Sequence, residues 1–439
     1  MKRYAIIISL LTLFFVNAAA SDSIPLTLQQ CKDRALLYNE DLRSADIDVQ
    51  MARQDRKIAL SQYIPKINGL AMGVMLPVDF PLIDENYLQL SLKTHGMYMA
   101  GFTLMEPLYA GGRIVNGTRL AKQGVECMEI MQKKTKAEVE YNVENAFWSL
   151  VAVRTKRQMV EQYIMLMDTI ENQVNIAYET EHATMSDLLS VRSKKMDLQY
   201  QLKQIDMGID LCALSLMSMI GVSADSMVVP VYEFSETDSI TNSEVSDGER
   251  LEETLLRKQV EISKLQEKMV LGEYLPTLGL TAGWMWFDNF NIYTALITPF
   301  GTWDYTYKMG RKIPMAMLSL SVPITGWVEG AHKLKKAKLQ TEKSQLSFEK
   351  NSKLLKIENE QALRQVQNGS LMYDAAKMKK ESAEEKLRVE RNRYGADMCT
   401  LSDVMRAQAE CEQALSEYIE TAAKYRIYIA NYKRIFSNQ

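Results

Sequence analysis

The sequence predicts a mainly α-helical protein with a membrane β-sheet, built from two copies of a unit that joins a strand hairpin to a long helix. Three observations predict this fold class: the positions of the prolines, segments of alternating polarity, and a segment that occurs twice. Proline breaks helix interiors, and the chain has none between Pro107 and Pro230 or after Pro323. Both stretches are rich in helix-forming residues, which favours long continuous helices.

Residues 1–20 have the layout of a secretory signal peptide. Lys2 and Arg3 precede an apolar run, and three small residues precede Ser21. Such a run is too short for a membrane anchor, so the mature chain is expected to begin near Ser21, outside the cytoplasm. Its five cysteines are expected to be free thiols that pack as small apolar groups.

The first copy of the repeat is predicted over 21–220. Its elements are a helix at about 26–62, strands at about 66–76 and 97–106 joined by a loop, a long helix at about 113–177, and a returning helix at about 184–220. The strand segments, such as "MYMAGFTLME", alternate with a period of two, which is typical of a strand with one face in lipid and the other facing a lumen. An ordinary half-buried soluble hairpin is the alternative.

A linker or small irregular layer is predicted at 221–250, where acidic and small polar residues are frequent. The second copy follows at 251–439 with the same order of elements. These are a first helix, strands at about 276–287 and 313–322, a long helix at about 328–392, and a returning helix at about 400–437.

The repeat is most visible where each long helix turns into its returning helix. "AYETEHATMSDLLSVR" begins at Ala177 and "RYGADMCTLSDVMRAQ" begins at Arg393. Four positions are identical when the segments are aligned: Tyr178, Thr184, Ser186 and Asp187 match Tyr394, Thr400, Ser402 and Asp403. The two segments are therefore predicted to be equivalent turns in two structural repeats.

Four strands cannot close a barrel, since the smallest outer membrane barrels have about eight. An open strand edge in lipid leaves unpaired N–H and C=O groups, each of which costs several kcal/mol. If the strands are embedded in a membrane, the chain must associate with copies of itself. The residues alone leave two, three or more copies open.

The chain resembles the TolC-like outer membrane efflux proteins. The resemblance depends on "LMEPLYAGGRIVNG" at 104–117 with its second-copy partner "LSVPITGWVEGAHKLKKAKLQ", and on "SQYIPKINGLAMG" with its partner "GEYLPTLGLTAGW". It implies a homotrimer with a 12-strand β-barrel in the outer membrane, continued by an α-helical barrel across the periplasm. It also implies a passive exit duct of a tripartite efflux system, which works with a periplasmic adaptor (membrane fusion) protein and an inner-membrane pump.

Asp187 and Asp403 are candidate residues of a periplasmic gate. Each follows a threonine by three residues, a spacing that also predicts a capping box at the start of the returning helix. In the resembled family, an aspartate at the position of Asp403 and an acidic residue three positions later narrow the pore. Here the later position is Arg406, which could offset the carboxylate ring if it faces the lumen.

Two further pairs of residues are candidate sites. Glu181 and Asp397 stand where the family usually has glycine, so the turns are expected to present an acidic rim to an adaptor with basic residues at its tip. Gly111 and Gly112 separate a strand from the long helix and are interpreted as a hinge between them.

The sequence indicates no enzyme and no cofactor. The three histidines lie far apart without metal-ligand spacing, and no paired catalytic carboxylates or phosphate-binding glycine loop are evident. The net charge of -3 predicts no large basic surface for nucleic acid. Two alternatives to efflux stay open: the outer membrane component of a type I protein secretion system, and a soluble periplasmic coiled-coil scaffold.

Overall fold

The computed structural model describes residues 23–75, 78–94, 96–223, 227–232, 250–324, 326–396 and 398–436. The signal peptide predicted at 1–20, Asp397 and most of the linker predicted at 221–250 lie outside these residues. The chain divides into two compact units, each made from several segments.

The described residues form seven helices, two of which are very long. The helices are α1 (Leu28–Tyr38), α2 (Glu40–Ser61), α3 (Arg113–Glu179), α4 (Met185–Ile220), α5 (Leu251–Gly272), α6 (Gly326–Gly395) and α7 (Leu401–Phe436). Of the described residues, no helix is sufficiently long and apolar to cross a lipid bilayer.

The helix expected at about 26–62 is instead two helices, because Asn39 interrupts it. The Asn39 side chain accepts hydrogen bonds from the backbone N–H groups of Asp41 and Leu42 at 3.0 and 3.3 Å. It thereby caps the start of α2, a role that asparagine favours strongly. α1 begins with its own capping box between Thr27 and Gln30.

The first unit comprises the described residues up to Asp48, those within Glu129–Leu255, and those from Lys350 onward. It contains a short parallel pair, β1 (Ser23–Leu26) with β6 (Met227–Pro230). Its largest core surrounds the fully buried Phe147 and Leu150, against which the end of α4 packs. A second core lies nearer the helix turns, and a third contains Val366 and Ile429.

The second unit comprises Val49–Met128 and Leu256–Glu349. Its six strands are β2 (Lys66–Val74), β3 (Val78–Glu85), β4 (Leu88–Thr94), β5 (Met97–Ala110), β7 (Thr277–Thr298) and β8 (Gly301–Ser321). They form one antiparallel sheet in the order β2-β5-β7-β4-β3, and β8 pairs with the other side of β7.

The strands of this sheet extend beyond the predicted ones. β7 continues to Thr298 and β8 begins at Gly301, whereas the sequence pattern predicted strands at 276–287 and 313–322. β5 pairs with the first part of β7 and β4 with the last part, so that β4 and β5 together form one side of the long strand. Residues 288–312 carry too many polar side chains for their alternation to be evident from sequence, although several are aromatic or β-branched residues that favour strands.

Candidate functional site

The first turn, residues 180–184, connects α3 to α4 and is closed by backbone hydrogen bonds. The N–H of His182 donates to the carbonyl of Ala177 at 2.7 Å, and the N–H of Ala183 donates to the same carbonyl at 3.2 Å. Glu181 is exposed and has a φ of 63°. The left-handed region is costly for any residue with a Cβ, which explains why glycine is favoured at such a position.

The Thr184 and Asp187 side chains form the capping box that their spacing predicts. The N–H of Asp187 donates to Thr184 Oγ1 at 3.2 Å, and the N–H of Thr184 donates to Asp187 Oδ2 at 3.0 Å. The Thr184 hydroxyl also donates to Asp187 Oδ2 at 2.7 Å. These hydrogen bonds to the charged carboxylate lower the pKa of Asp187 below its usual value.

The second turn connects α6 to α7 and repeats the same cap. The N–H of Asp403 donates to Thr400 Oγ1 at 3.3 Å, and the N–H of Thr400 donates to Asp403 Oδ2 at 3.1 Å. The hydrogen bonds from Thr400 are the main reason that the pKa of Asp403 is lowered. Asp397, the other candidate in this turn, lies outside the described residues.

Arg406 pairs with Asp403 within the same chain. Its Nη2 donates to Asp403 Oδ1 at 2.6 Å, and the two side chains are 66% and 37% exposed. Asp403 therefore has one oxygen bound in the cap and the other bound by a guanidinium. At the equivalent place in the first repeat, the described hydrogen bonds of Asp187 come from Thr184.

Both turns adjoin one apolar core, to which four helices contribute. Its buried members include Val174 of α3, Val191 of α4, Leu387 of α6 and Val404 of α7. Each helix presents these residues on a single face, as helical spacing requires. The core fixes the ends of the four helices, and thus the positions of the two caps.

Charged pairs tie neighbouring helices together next to this core. Glu171 of α3 binds Arg192 and Lys195 of α4 at 2.8 and 2.9 Å. Lys194 of α4 binds Glu412 of α7 at 3.1 Å, and that glutamate is only 15% exposed. This last pair joins a helix of the first repeat to a helix of the second, a contact that no spacing in the sequence indicates.

Gly111 and Gly112, the candidate hinge, belong to the second unit and both have left-handed backbone, with φ values of 62° and 76°. A Cβ at Gly111 would lie 2.2 Å from the carbonyl oxygen of Gly272, so the two backbones approach too closely for a side chain. The contact with Gly272 was not apparent from the sequence, because the two glycines lie far apart in the chain.

The described residues contain no group of three or more His, Cys, Asp or Glu side chains placed to hold a metal ion. All five cysteines are unpaired, and Cys31 and Cys411 are buried. Burial raises the pKa of the Cys31 thiol to about 11, and a thiol that stays protonated is unreactive. The two turns present the partly exposed, hydrogen-bonded carboxylates of Asp187 and Asp403.

Residues 32–206 match the model of a family described as outer membrane efflux protein. No curated protein matches the chain.

Several solved structures are similar over nearly the whole chain. The CmeC outer membrane channel of Campylobacter jejuni has a TM-score of 0.77 at 16% identity, covering 93% of this chain and 85% of that one. VceC of Vibrio cholerae has a TM-score of 0.72 at 14% identity, covering 93% and 95%. The open state of the MtrE channel of Neisseria gonorrhoeae has a TM-score of 0.69 at 16% identity, covering 93% and 88%.

The fold of this chain is therefore the fold of these outer membrane channels, in agreement with the predicted fold class. The resemblance to the TolC-like outer membrane efflux proteins is confirmed by the match over residues 32–206. The family match and the fold together support an outer membrane efflux channel.

Proposed function

We propose that this chain is the outer membrane component of a tripartite efflux system. It is a passive exit duct for small molecules that a periplasmic adaptor and an inner-membrane pump hand over. The observation that carries the proposal is the structural match to outer membrane channels over 93% of the chain, together with the family match at residues 32–206. The sheet lies in the outer membrane of a Gram-negative-type bacterium, and the helices lie in the periplasm.

The duct is a homotrimer. At one edge of the sheet β8 pairs with β7, and at the other edge β2 and β3 pair with β5 and β4. In lipid these two edges need partners, because each unsatisfied backbone group costs several kcal/mol. Neighbouring copies supply these partners. Each chain contributes a sheet that is four strands wide, so three chains give the twelve strands that the family resemblance implies.

The gate of the duct is formed by the two caps. Asp187 and Asp403 are each fixed at a helix start by a threonine, so that their carboxylates hold constant positions. A ring of carboxylates at a constriction favours cations. Arg406 offsets the charge of Asp403, which leaves Asp187 as the stronger contributor to cation preference.

The rim that faces the adaptor contains Glu181 and Asp397. Glu181 is exposed at the tip of its turn, and its backbone has the unfavourable left-handed conformation. An adaptor with basic residues at its tip would bind such a rim. Gly111 and Gly112 act as the hinge between strand and long helix, since they permit a backbone path that residues with a Cβ disfavour.

Fractionation and conductance together test the function. The mature protein is expected to fractionate with outer membranes and to form cation-conducting channels in planar bilayers. A protein that stays soluble without detergent and does not conduct would contradict the proposal and favour the periplasmic scaffold. The inner-membrane transporter that co-purifies with the channel decides between efflux and type I protein secretion.

A further inference from the structure

The two faces of the large sheet differ sharply in composition. Directly paired residues of antiparallel strands share a face, so the strand register sorts the side chains. One face, here called the aromatic face, contains Tyr98, Phe102, Leu104, Trp284, Trp286, Leu318 and Leu320. The opposite face, here called the methionine face, contains Met72, Met99, Met105, Met285, Met315 and Met317.

Every methionine of β2, β5, β7 and β8 whose side chain is described lies on the methionine face. The same face carries small and polar residues such as Thr103, Thr281 and Ser319. The methionine face also contains Leu70, Phe287 and Ile313, but both tryptophans of these paired segments lie on the aromatic face. Tryptophans on one side and hydroxyl residues on the other are the pattern of a lipid face and a lumen face. On the proposed function, on which this inference rests, the methionines therefore line the lumen.

Apolar area alone does not account for this segregation. Leucine provides similar apolar area and occurs on both faces, with Leu70 on the methionine face, whereas the described methionines of these strands lie on one face alone. The property that distinguishes methionine from leucine is its polarizable thioether sulfur. A thioether is a soft neutral donor, and soft sulfur donors select Cu(I) among the metals available to proteins.

Three of these thioethers share one small area of the sheet. Met72 of β2 lies directly opposite Met99 of β5, and such pairs have Cβ atoms about 5 Å apart. Met285 of β7 lies opposite Gly101, two residues from Met99 along β5. A Cβ at Gly101 would lie 3.2 Å from Met285 Sδ, which places that sulfur over the glycine. Phe287 is the β7 residue directly opposite Met99, so Met285 is the diagonal neighbour of Met99.

We propose that Met72, Met99 and Met285 form a binding site for a soft monovalent cation, Cu(I) or its analogue Ag(I), which passes through the lumen as transported cargo. Three neutral donors hold such an ion without trapping it by charge. This suits a conduit, because conduction needs binding that is favourable enough for entry and weak enough for exit.

The test measures Ag(I) binding to the full chain in detergent, labelled with selenomethionine. The decisive variant carries Met72→Leu, Met99→Leu and Met285→Leu, since leucine keeps the apolar volume with little structural cost. The matched control carries Met165→Leu, Met196→Leu and Met207→Leu, three exposed helical methionines. We expect the sheet variant to lose Ag(I) affinity about tenfold or more, and the helical control to bind as the unmodified chain does.

X-ray absorption at the selenium edge separates thioethers from the five thiols. The unmodified chain is expected to show silver as a selenium neighbour, and the sheet variant is expected to lose most of that signal. Equal affinity and equal signal in both proteins would overturn the inference and leave the methionines as an adaptable apolar lining.

Conductance in planar bilayers separates this inference from the proposed function. The sheet variant is expected to conduct K⁺ as the unmodified channel does. A conducting channel that binds no Ag(I) at these methionines overturns only the cation site. A chain that does not conduct and needs no detergent overturns the proposed function itself.

Discussion

Single residues at the two turns carry most of the local chemistry of this protein. Thr184 and Asp187, like Thr400 and Asp403, exchange side-chain and backbone hydrogen bonds. Glu181 is the one non-glycine residue with positive φ in the described part of the chain. The caps stabilise the turns, whereas Glu181 strains the first of them.

Glu181→Gly is expected to stabilise the protein and to weaken adaptor binding. Glycine adopts a positive φ without the steric cost that a Cβ brings, so the free energy of unfolding should rise by about 1 kcal/mol. Loss of the carboxylate should reduce adaptor pull-down. Glu181→Gln, which removes the charge and keeps the backbone strain, should weaken pull-down without added stability. Unchanged pull-down with both variants would remove Glu181 from the docking rim.

Arg406→Ala is expected to raise the cation preference of the channel. Removing the guanidinium frees the Asp403 carboxylate, which should raise the cation-to-anion permeability ratio by roughly two- to fivefold. Bilayer reversal potentials measure this ratio. Arg388→Ala is the matched control, because Arg388 forms a similar exposed pair with Glu385 at 2.6 Å. An unaltered ratio in Arg406→Ala would mean that the side chain points away from the lumen.

The two caps should weaken only in acid. The pKa values of Asp187 and Asp403 are lowered in the folded chain by their hydrogen bonds from threonine. Their stabilisation is therefore complete above the unfolded pKa of about 4 and is lost as pH falls through the lower folded values. Hydrogen exchange of the turn amides should show this below about pH 4. In Asp187→Asn the amide oxygen can still accept from the Thr184 N–H but does not titrate. This variant should remove the loss of protection in acid at the first turn, and a persistent loss there would contradict the assignment.

At the scale of elements, the sequence predicts the long helices and the capped turns between them, but not the contacts between distant segments. α3 and α6 are predictable because their stretches lack proline and are rich in helix-forming residues, and helix propensity depends on residues that are close in the sequence. The caps follow from a spacing of three residues. The Arg406 pair, the tie between Lys194 and Glu412, and the ends of β7 and β8 depend on contacts between distant segments.

The break at Asn39 shows why helix boundaries are difficult to predict. Asparagine is tolerated within a helix, and here its side chain caps α2 instead. The close approach of Gly111 and Gly272 is a second example. Each glycine can be recognised from the sequence as a turn residue. The distance of 2.2 Å between a Cβ at Gly111 and the Gly272 carbonyl oxygen is apparent only when the two segments are brought together.

Gly111→Ala is expected to destabilise the protein strongly. An alanine there would have an unfavourable φ and would collide with the Gly272 carbonyl, at a cost of about 1–3 kcal/mol for the backbone strain alone. The thermal midpoint of the detergent-solubilised protein measures this. Gly124→Ala in α3 is the matched control, because a Cβ there meets nothing within 4 Å. It should be neutral or stabilising by about 0.5–1 kcal/mol, and an equal loss in both variants would contradict the packing argument.

For the whole molecule, the duplicated unit explains both the fold and the need for partners. Each repeat supplies strands to one sheet and a helix turn to one apolar core. The described sheet keeps two open edges, one at β8 and the other at β2 and β3. A chain of this design is expected to be complete only as an assembly of identical copies.

The molecular mass of the detergent-solubilised full chain, measured by native mass spectrometry, tests this claim most directly. Three copies are expected, because their strand edges can then close one barrel of twelve strands. A single copy that is stable in buffer without detergent would contradict the account.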